Sequence, residues 1–102
     1  MSVLLFYVTF PDRATADQMS EKLIVKKLIA CANIYAMSSE YVWSGLMCKE
    51  DEWTAIFKTS PEKESETEAY ILKHHPYQTP CIMRWQVNAN ESYEQWIRAC
   101  VS

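Results

Sequence analysis

Two long strand-like segments flank Gly45, the single glycine of this 102-residue chain. Residues 31–37 and 40–43 precede it and are rich in strand-forming residues, and we expect a kink or bulge between them at Ser38-Ser39. Residues 46–59 follow it with a similar composition. Because glycine tolerates the positive φ of a tight turn, this pattern predicts one long antiparallel hairpin.

The segment before the hairpin predicts a strand and a helix. Leu4–Thr9 is a continuous apolar run, which is typical of a strand at the centre of a sheet. Asp12 can then cap a helix from Arg13 to about Lys27, in which apolar residues recur at helical spacing on one face.

The segment after the hairpin predicts a helix, a strand and a closing helix. Ser60-Pro61-Glu62 is typical of a helix start, and that helix should end at His74. Cys81–Val87 predicts a fourth strand, and Asn90 should cap the last helix. The order is βαββαβ plus a terminal helix. It predicts an α+β, ferredoxin-like sandwich with an antiparallel sheet in one domain, residues 1–102.

Composition and charge narrow the function classes. A formal charge of -3 offers no basic surface for a phosphate backbone, so we expect no nucleic-acid partner. No apolar run approaches the roughly 20 residues that span a bilayer, so we expect no membrane association. The four cysteines are widely spaced and lack a C-x-x-C pair, which favours reduced thiols and a cytoplasmic location.

The apolar content predicts an oligomer. Hydrophobic residues make up 49% of the chain, which includes four Trp, six Tyr and three Phe. Both main helices should lie on one face of the sheet, while the strands offer apolar groups to both faces. We therefore expect the second face to be covered by another subunit.

Five segments of the chain resemble the CutA family of divalent ion tolerance proteins. They are Val8-Thr9-Phe10-Pro11-Asp12, Leu28-Ile29-Ala30-Cys31-Ala32-Asn33-Ile34, Tyr41-Val42-Trp43-Ser44-Gly45, Lys58-Thr59 and His75-Pro76-Tyr77-Gln78-Thr79-Pro80. The resemblance implies a ferredoxin-like fold and a homotrimer in which the hairpins pair between subunits. It also implies tolerance to copper and other divalent ions, with no established reaction. Cys81 stands where relatives often carry an acidic residue.

Cys31 and His75 are the candidate metal ligands. Thiolate and imidazole are ligands that copper and zinc prefer, so we expect a divalent metal ion, copper or another, as the bound species. Each residue also has a structural interpretation: Cys31 as a small core residue, and His75 as a brace for the turn before Pro76. His74 is expected on the surface, because adjacent helical residues point about 100° apart.

A ligand cleft between subunits is the second candidate site. Tyr41, Lys58, Tyr77 and Trp85 could line it, since aromatic bodies with polar tips suit small-molecule recognition. Trp43 is expected to pack at an interface instead. By architecture the chain would then be a small-molecule-sensing signalling trimer, resembling the nitrogen-regulatory signal proteins. No nucleophile, base and orienting group can be assembled from the sequence, so we expect a binding protein rather than an enzyme.

Overall fold

The computed structural model describes residues 2–102 and confirms the predicted order of elements. These are β1 (Val3–Phe10), α1 (Arg13–Val25), β2 (Cys31–Trp43), β3 (Leu46–Thr59), α2 (Glu64–His74), β4 (Ile82–Val87) and α3 (Glu91–Val101). One short 3-10 turn, Pro61–Lys63, precedes α2.

The four strands form one antiparallel sheet in the order β2-β3-β1-β4. This order places the two strands that each follow a main helix at the two edges, as in the ferredoxin-like fold, so the predicted fold class is confirmed. Helices α1 and α2 cover one face. The core between them and the sheet contains twelve buried residues: Leu4, Phe6, Val8, Phe10, Ala16, Met19, Leu23, Leu28, Ile29, Ala55, Phe57 and Ile71.

The β2–β3 hairpin is regular over its whole length. Every residue of β2, from Cys31 opposite Lys58 to Trp43 opposite Leu46, has one partner on β3. The kink or bulge expected at Ser38-Ser39 is therefore wrong: both serines pair within the ladder. The turn is two residues long, with φ of 52° at Ser44 and 77° at Gly45, which is the geometry of a type I′ turn.

The hairpin extends beyond the rest of the sheet. Strand β1 pairs with β3 only from Trp53 to Thr59, so within residues 2–102 no third strand lies beside residues 37–43 and 46–52. This two-stranded extension contributes to a longest molecular dimension of 46 Å. An isolated two-stranded hairpin is only marginally stable in water, so this extension is expected to need contacts from elsewhere.

Local sequence correctly predicts where helix α1 begins but not where it ends. Asp12 caps α1 as predicted, with Oδ1 accepting hydrogen bonds from the Thr15 N–H and hydroxyl, both at 2.7 Å. Helix α1 ends at Val25 rather than Lys27, because Lys27 takes a left-handed φ of 58° and the Leu28 N–H returns to the Leu23 carbonyl at 2.9 Å. This is a Schellman ending.

The predicted caps of α2 and α3 differ in detail. The Ser60 hydroxyl does not cap, and the chain enters α2 through the 3-10 turn. Asn90 occupies the N-cap position of α3, but its side-chain amide donates to the Ser92 hydroxyl at 3.0 Å instead of accepting from the helix.

Helix α3 lies on the sheet face opposite α1 and α2. Lys58 alternates with core-facing Phe57, and its Nζ donates to the Tyr93 hydroxyl of α3 at 3.3 Å. The α3 helix leaves Tyr35, Met83 and Trp85 on that face 53%, 54% and 43% exposed. No helix within residues 2–102 combines the length and apolarity needed to span a membrane.

Candidate functional site

A cavity of about 470 Å³ lies where the hairpin extension meets the loop before β4. The extension contributes Tyr41, Trp43, Glu50 and Glu52, and the body contributes Thr9, Tyr77, Gln78, Thr79 and Cys81. Its volume falls within the range of roughly 300–1,000 Å³ that is typical of small-molecule sites.

Side chains along a strand point alternately to the two faces of the sheet, and this alternation explains why the hairpin residues of the cavity lie on the same face. Tyr41 lies opposite Cys48, and Glu50 and Glu52 follow Cys48 at alternate positions on β3. Alternate residues of a strand share one face, and directly paired residues also share a face. Tyr41, Trp43, Glu50 and Glu52 therefore all project from the sheet face opposite α1 and α2.

His75 holds the loop that forms the other wall. Its Nε2 lies 2.7 Å from the Thr9 carbonyl oxygen, and the Tyr77 N–H points to its Nδ1 at 3.1 Å. Because a backbone N–H can only donate, Nδ1 must accept and Nε2 must carry the proton that is donated to Thr9. The ring also stacks on Phe10 at 4.9 Å between centroids. Burial lowers the pKa of His75, which favours this neutral form.

Glu52 and Tyr77 join the two walls of the cavity. The Tyr77 hydroxyl donates to Glu52 Oε2 at 2.5 Å, and Glu52 is only 8% exposed. Burial and this bond to a carboxylate raise the pKa of Tyr77 above its ordinary value. At the rim, a hydrogen bond to Glu50 raises the pKa of Tyr41 to about 12. Both phenols are therefore neutral donors near pH 7.

Cys81 adds a thiol to this oxygen-rich cavity. Burial, and then the charge of Glu52, raise the pKa of Cys81, so the thiol is protonated when no cation is near. A bound cation would reverse this effect and favour the thiolate. Within residues 2–102, no three His, Cys, Asp or Glu side chains converge closely enough to hold a metal ion by themselves.

The structure divides the predicted cleft residues into two groups. Tyr41 and Tyr77 line the cavity together. Lys58 on β3 and Trp85 on β4 do not line the cavity, because both are paired with Leu5 of β1. Thr9, which lines the cavity, lies four residues further along β1, at a distance of about 13 Å from Leu5.

The predicted metal ligands Cys31 and His75 are also separated within the subunit. Cys31 is opposite Lys58, in the same row as Leu5 and Trp85, whereas His75 binds the carbonyl of Thr9. Both ring nitrogens of His75 are engaged, which leaves no lone pair for an ion in this arrangement. The geometry favours the bracing interpretation of His75.

Glu52 and Cys81, like five other residues that line the cavity, were not among the predicted site residues. A signal for Glu52 exists in the sequence: counting alternate positions away from the Ser44-Gly45 turn places it on the face of Tyr41. Cys81 carries no such signal, because its place depends on how the loop after α2 is held.

Comparison with known proteins gives consistent matches over the whole chain. A family model described as "CutA1 divalent ion tolerance protein" matches residues 4–100. A divalent-cation tolerance protein CutA from Thermotoga maritima is 42% identical, over 97% of this chain and 99% of that protein. The crystal structure of divalent ion tolerance protein CutA1 from Ehrlichia chaffeensis has a TM-score of 0.95 at 35% identity, covering 98% of this chain and 95% of that one. A protein from Archaeoglobus fulgidus, named a periplasmic divalent cation tolerance protein CutA, has a TM-score of 0.94 at 31% identity, covering 98% and 99%.

Proposed function

This chain belongs to the CutA1 divalent ion tolerance family, and on that basis we propose that it binds a divalent metal ion and contributes to tolerance of such ions. The family membership predicted from five sequence segments is confirmed. The ion we propose is copper or another divalent ion with affinity for sulfur. The proposed role is binding rather than catalysis.

One observation carries the proposed site: the cavity brings the carboxylates of Glu50 and Glu52 to the same space as the Cys81 thiol. A thiolate favours copper and zinc over magnesium and calcium, which require oxygen ligands. Fewer than three such side chains converge on one point in the described chain, so water would complete the coordination of the ion. We therefore expect Cys81 and Glu52 to be the main protein ligands of the ion, with water at its remaining coordination positions.

Metal titration of cysteine variants tests this site against the one predicted from sequence. We expect calorimetry to show binding of Zn²⁺ and of copper, and none of Mg²⁺. Cys81→Ser and Glu52→Gln should each weaken the binding by at least about tenfold, since even mutation of a residue that only supports a ligand typically costs that much. Cys31→Ser and Cys48→Ser are matched controls.

The controls decide between sites. If Cys31→Ser abolishes binding and Cys81→Ser does not, the proposed cavity is the wrong site and Cys31 is a ligand. Equal losses in all three cysteine variants would leave only nonspecific thiol chemistry.

We propose that the protein is a homotrimer. The support is the hairpin extension, which has no third strand beside it in the described chain, together with large exposed apolar residues at its tip that lie outside the cavity: Val42, Leu46 and Met47. Val42 and Met47 are paired on one face of the hairpin and Leu46 lies on the other, and exposed apolar surface of this kind favours a protein interface. Sedimentation equilibrium at micromolar concentration should give three times the chain mass of 11.9 kDa, and a stable folded monomer would contradict the proposal.

We propose a cytoplasmic location, supported by cysteines that are all free in residues 2–102: Cys31, Cys48, Cys81 and Cys100. Cell fractionation with a thiol-reactive, membrane-impermeant label tests it. Labelling of intact cells to the same extent as lysed cells would contradict it.

A second candidate function is small-molecule sensing by the trimer. The volume of the cavity and its three aromatic rings favour it. Lys58 and Trp85, at the other end of the sheet face, would not take part in this site within one subunit.

A further inference from the structure

Three aromatic side chains and two carboxylates line the same cavity. The rings are those of Tyr41, Trp43 and Tyr77, and the carboxylates are those of Glu50 and Glu52. Among the residues that line the cavity in the described chain there is no lysine or arginine. A divalent metal ion would be bound by oxygen and sulfur atoms, and the aromatic faces would not contribute to its coordination.

Glu52 leaves one oxygen available inside the cavity. Its Oε2 accepts the Tyr77 hydroxyl, and within residues 2–102 no hydrogen bond is made to Oε1. Since no buried side-chain oxygen in that part of the chain lacks a partner, Oε1 is accessible to solvent. The residue is more than nine-tenths buried, so this oxygen meets solvent only through the cavity. A carboxylate oxygen that opens into a cavity and accepts no hydrogen bond favours a cationic partner.

The rings have the electrostatic character that such a partner requires. The Tyr77 hydroxyl donates to Glu52, which holds the Tyr77 ring beside that carboxylate. The faces of Trp and Tyr carry negative charge density that attracts a cation positioned above them. Trp43 is 53% exposed and Tyr41 37%, so both rings offer surface to a ligand in the cavity.

We propose that this cavity binds a compact organic ammonium ion, with the charged nitrogen between the aromatic rings and the free oxygen of Glu52. The inference rests on the second candidate function and names its ligand class. An ammonium ion gains cation–π and ion-pair contacts that a neutral molecule of the same shape does not, and an anion would be repelled by Glu50 and Glu52.

A pair of ligands with the same shape and different charge tests the proposal. Choline and its neutral carbon analogue, 3,3-dimethyl-1-butanol, differ in charge but hardly in size. Both are titrated into the oligomeric protein after chelator treatment, with calorimetric detection. We expect choline to bind at least about tenfold more tightly than the alcohol.

Two variants locate the binding site, and one serves as a control. Trp43→Leu and Glu52→Gln should each weaken choline binding by about fivefold or more. Trp85→Leu is the matched control, because Trp85 is also an exposed tryptophan, at 43%, but lies outside the cavity. Circular dichroism of each variant establishes that the fold is retained.

Each outcome has one meaning. Equal binding of choline and the alcohol would overturn the charge preference while leaving a small-molecule site. No binding of either up to about 10 mM, a free energy weaker than about 3 kcal/mol, would overturn the inference and leave the second candidate function to be tested with other classes of small molecule. Equal loss in Trp85→Leu and Trp43→Leu would show that choline binds elsewhere. Metal binding is measured separately, so its failure leaves this test intact.

Discussion

Replacing His75 by phenylalanine tests whether this residue braces the cavity loop. Phenylalanine keeps the aromatic contact with Phe10, whose ring lies 4.9 Å away, but it removes both hydrogen bonds of the imidazole. The Thr9 carbonyl then loses its donor at 2.7 Å, and the Tyr77 N–H loses its acceptor at 3.1 Å.

The magnitude follows from these two bonds. A hydrogen bond contributes about 1 kcal/mol net to folding, and a partner left buried without one costs about 1–3 kcal/mol. Thr9 is 9% exposed, so its carbonyl has little access to water. We expect His75→Phe to lower the free energy of unfolding by about 2–3 kcal/mol. His75→Ala, which also loses the stack on Phe10, should cost about 1 kcal/mol more.

The pH dependence provides an independent check. Burial holds the pKa of His75 below its ordinary value of 6.5, so the unfolded chain binds a proton more readily than the folded one. The stabilisation from neutral His75 is complete above about pH 6.5 and declines as the pH falls below it. The difference in stability between the wild type and His75→Phe should therefore shrink from pH 8 to pH 5.

Denaturant unfolding followed by tryptophan fluorescence measures both effects, at one fixed protein concentration because the assembly affects stability. His74→Phe is the control: His74 contacts Tyr70 at 4.3 Å, and a phenyl ring can keep that contact, so we expect a change within about 0.5 kcal/mol. A cost below about 0.5 kcal/mol for His75→Phe would refute the bracing role. So would a difference that grows as the pH falls.

Three further predictions concern stability. Phe57→Ala, at a fully buried position, should lower the free energy of unfolding by about 3–5 kcal/mol in denaturant titration, and a change below about 1 kcal/mol would contradict its place in the core. Lys27→Gly should raise it by about 1 kcal/mol because φ is 58° there, whereas Lys26→Gly, at a φ of -79°, should not. A hydrogen bond from Arg98 lowers the pKa of Glu62 from 4.5 to about 2, so the Glu62 contribution is present above pH 4.5 and lost as the pH falls towards 2. Glu62→Gln should remove that acid-dependent component, and since the Glu62 side chain is 64% exposed, the component should stay below about 1 kcal/mol.

The sequence by itself determined the elements and their order, because the signals for them are local. The helix cap at Asp12 is made with Thr15, three residues away. The hairpin follows from Gly45 and the strand-forming residues on both sides of it, which depend only on neighbours along the chain. The absence of a kink at Ser38-Ser39 was not predictable in this way, because pairing with β3 overrides the weak strand preference of serine.

Only the tertiary structure decided where the site lies. Alternation along a strand determines the face of a side chain, and it correctly groups Tyr41 with Glu52, but it does not determine the row along the sheet. Lys58 and Trp85 share that face with Tyr41 and still lie at the other end, because the register of three strands places them beside Leu5.

The position of the loop after α2 depends on contacts between residues far apart in sequence. His75 reaches Thr9 across 66 residues, and Tyr77 reaches Glu52 across 25. These bonds bring Cys81 to the carboxylates and engage both nitrogens of the histidine that sequence alone suggested as a ligand. A residue type shows which chemistry is available, whereas the hydrogen bonds formed on folding decide which of its atoms remain free to perform it.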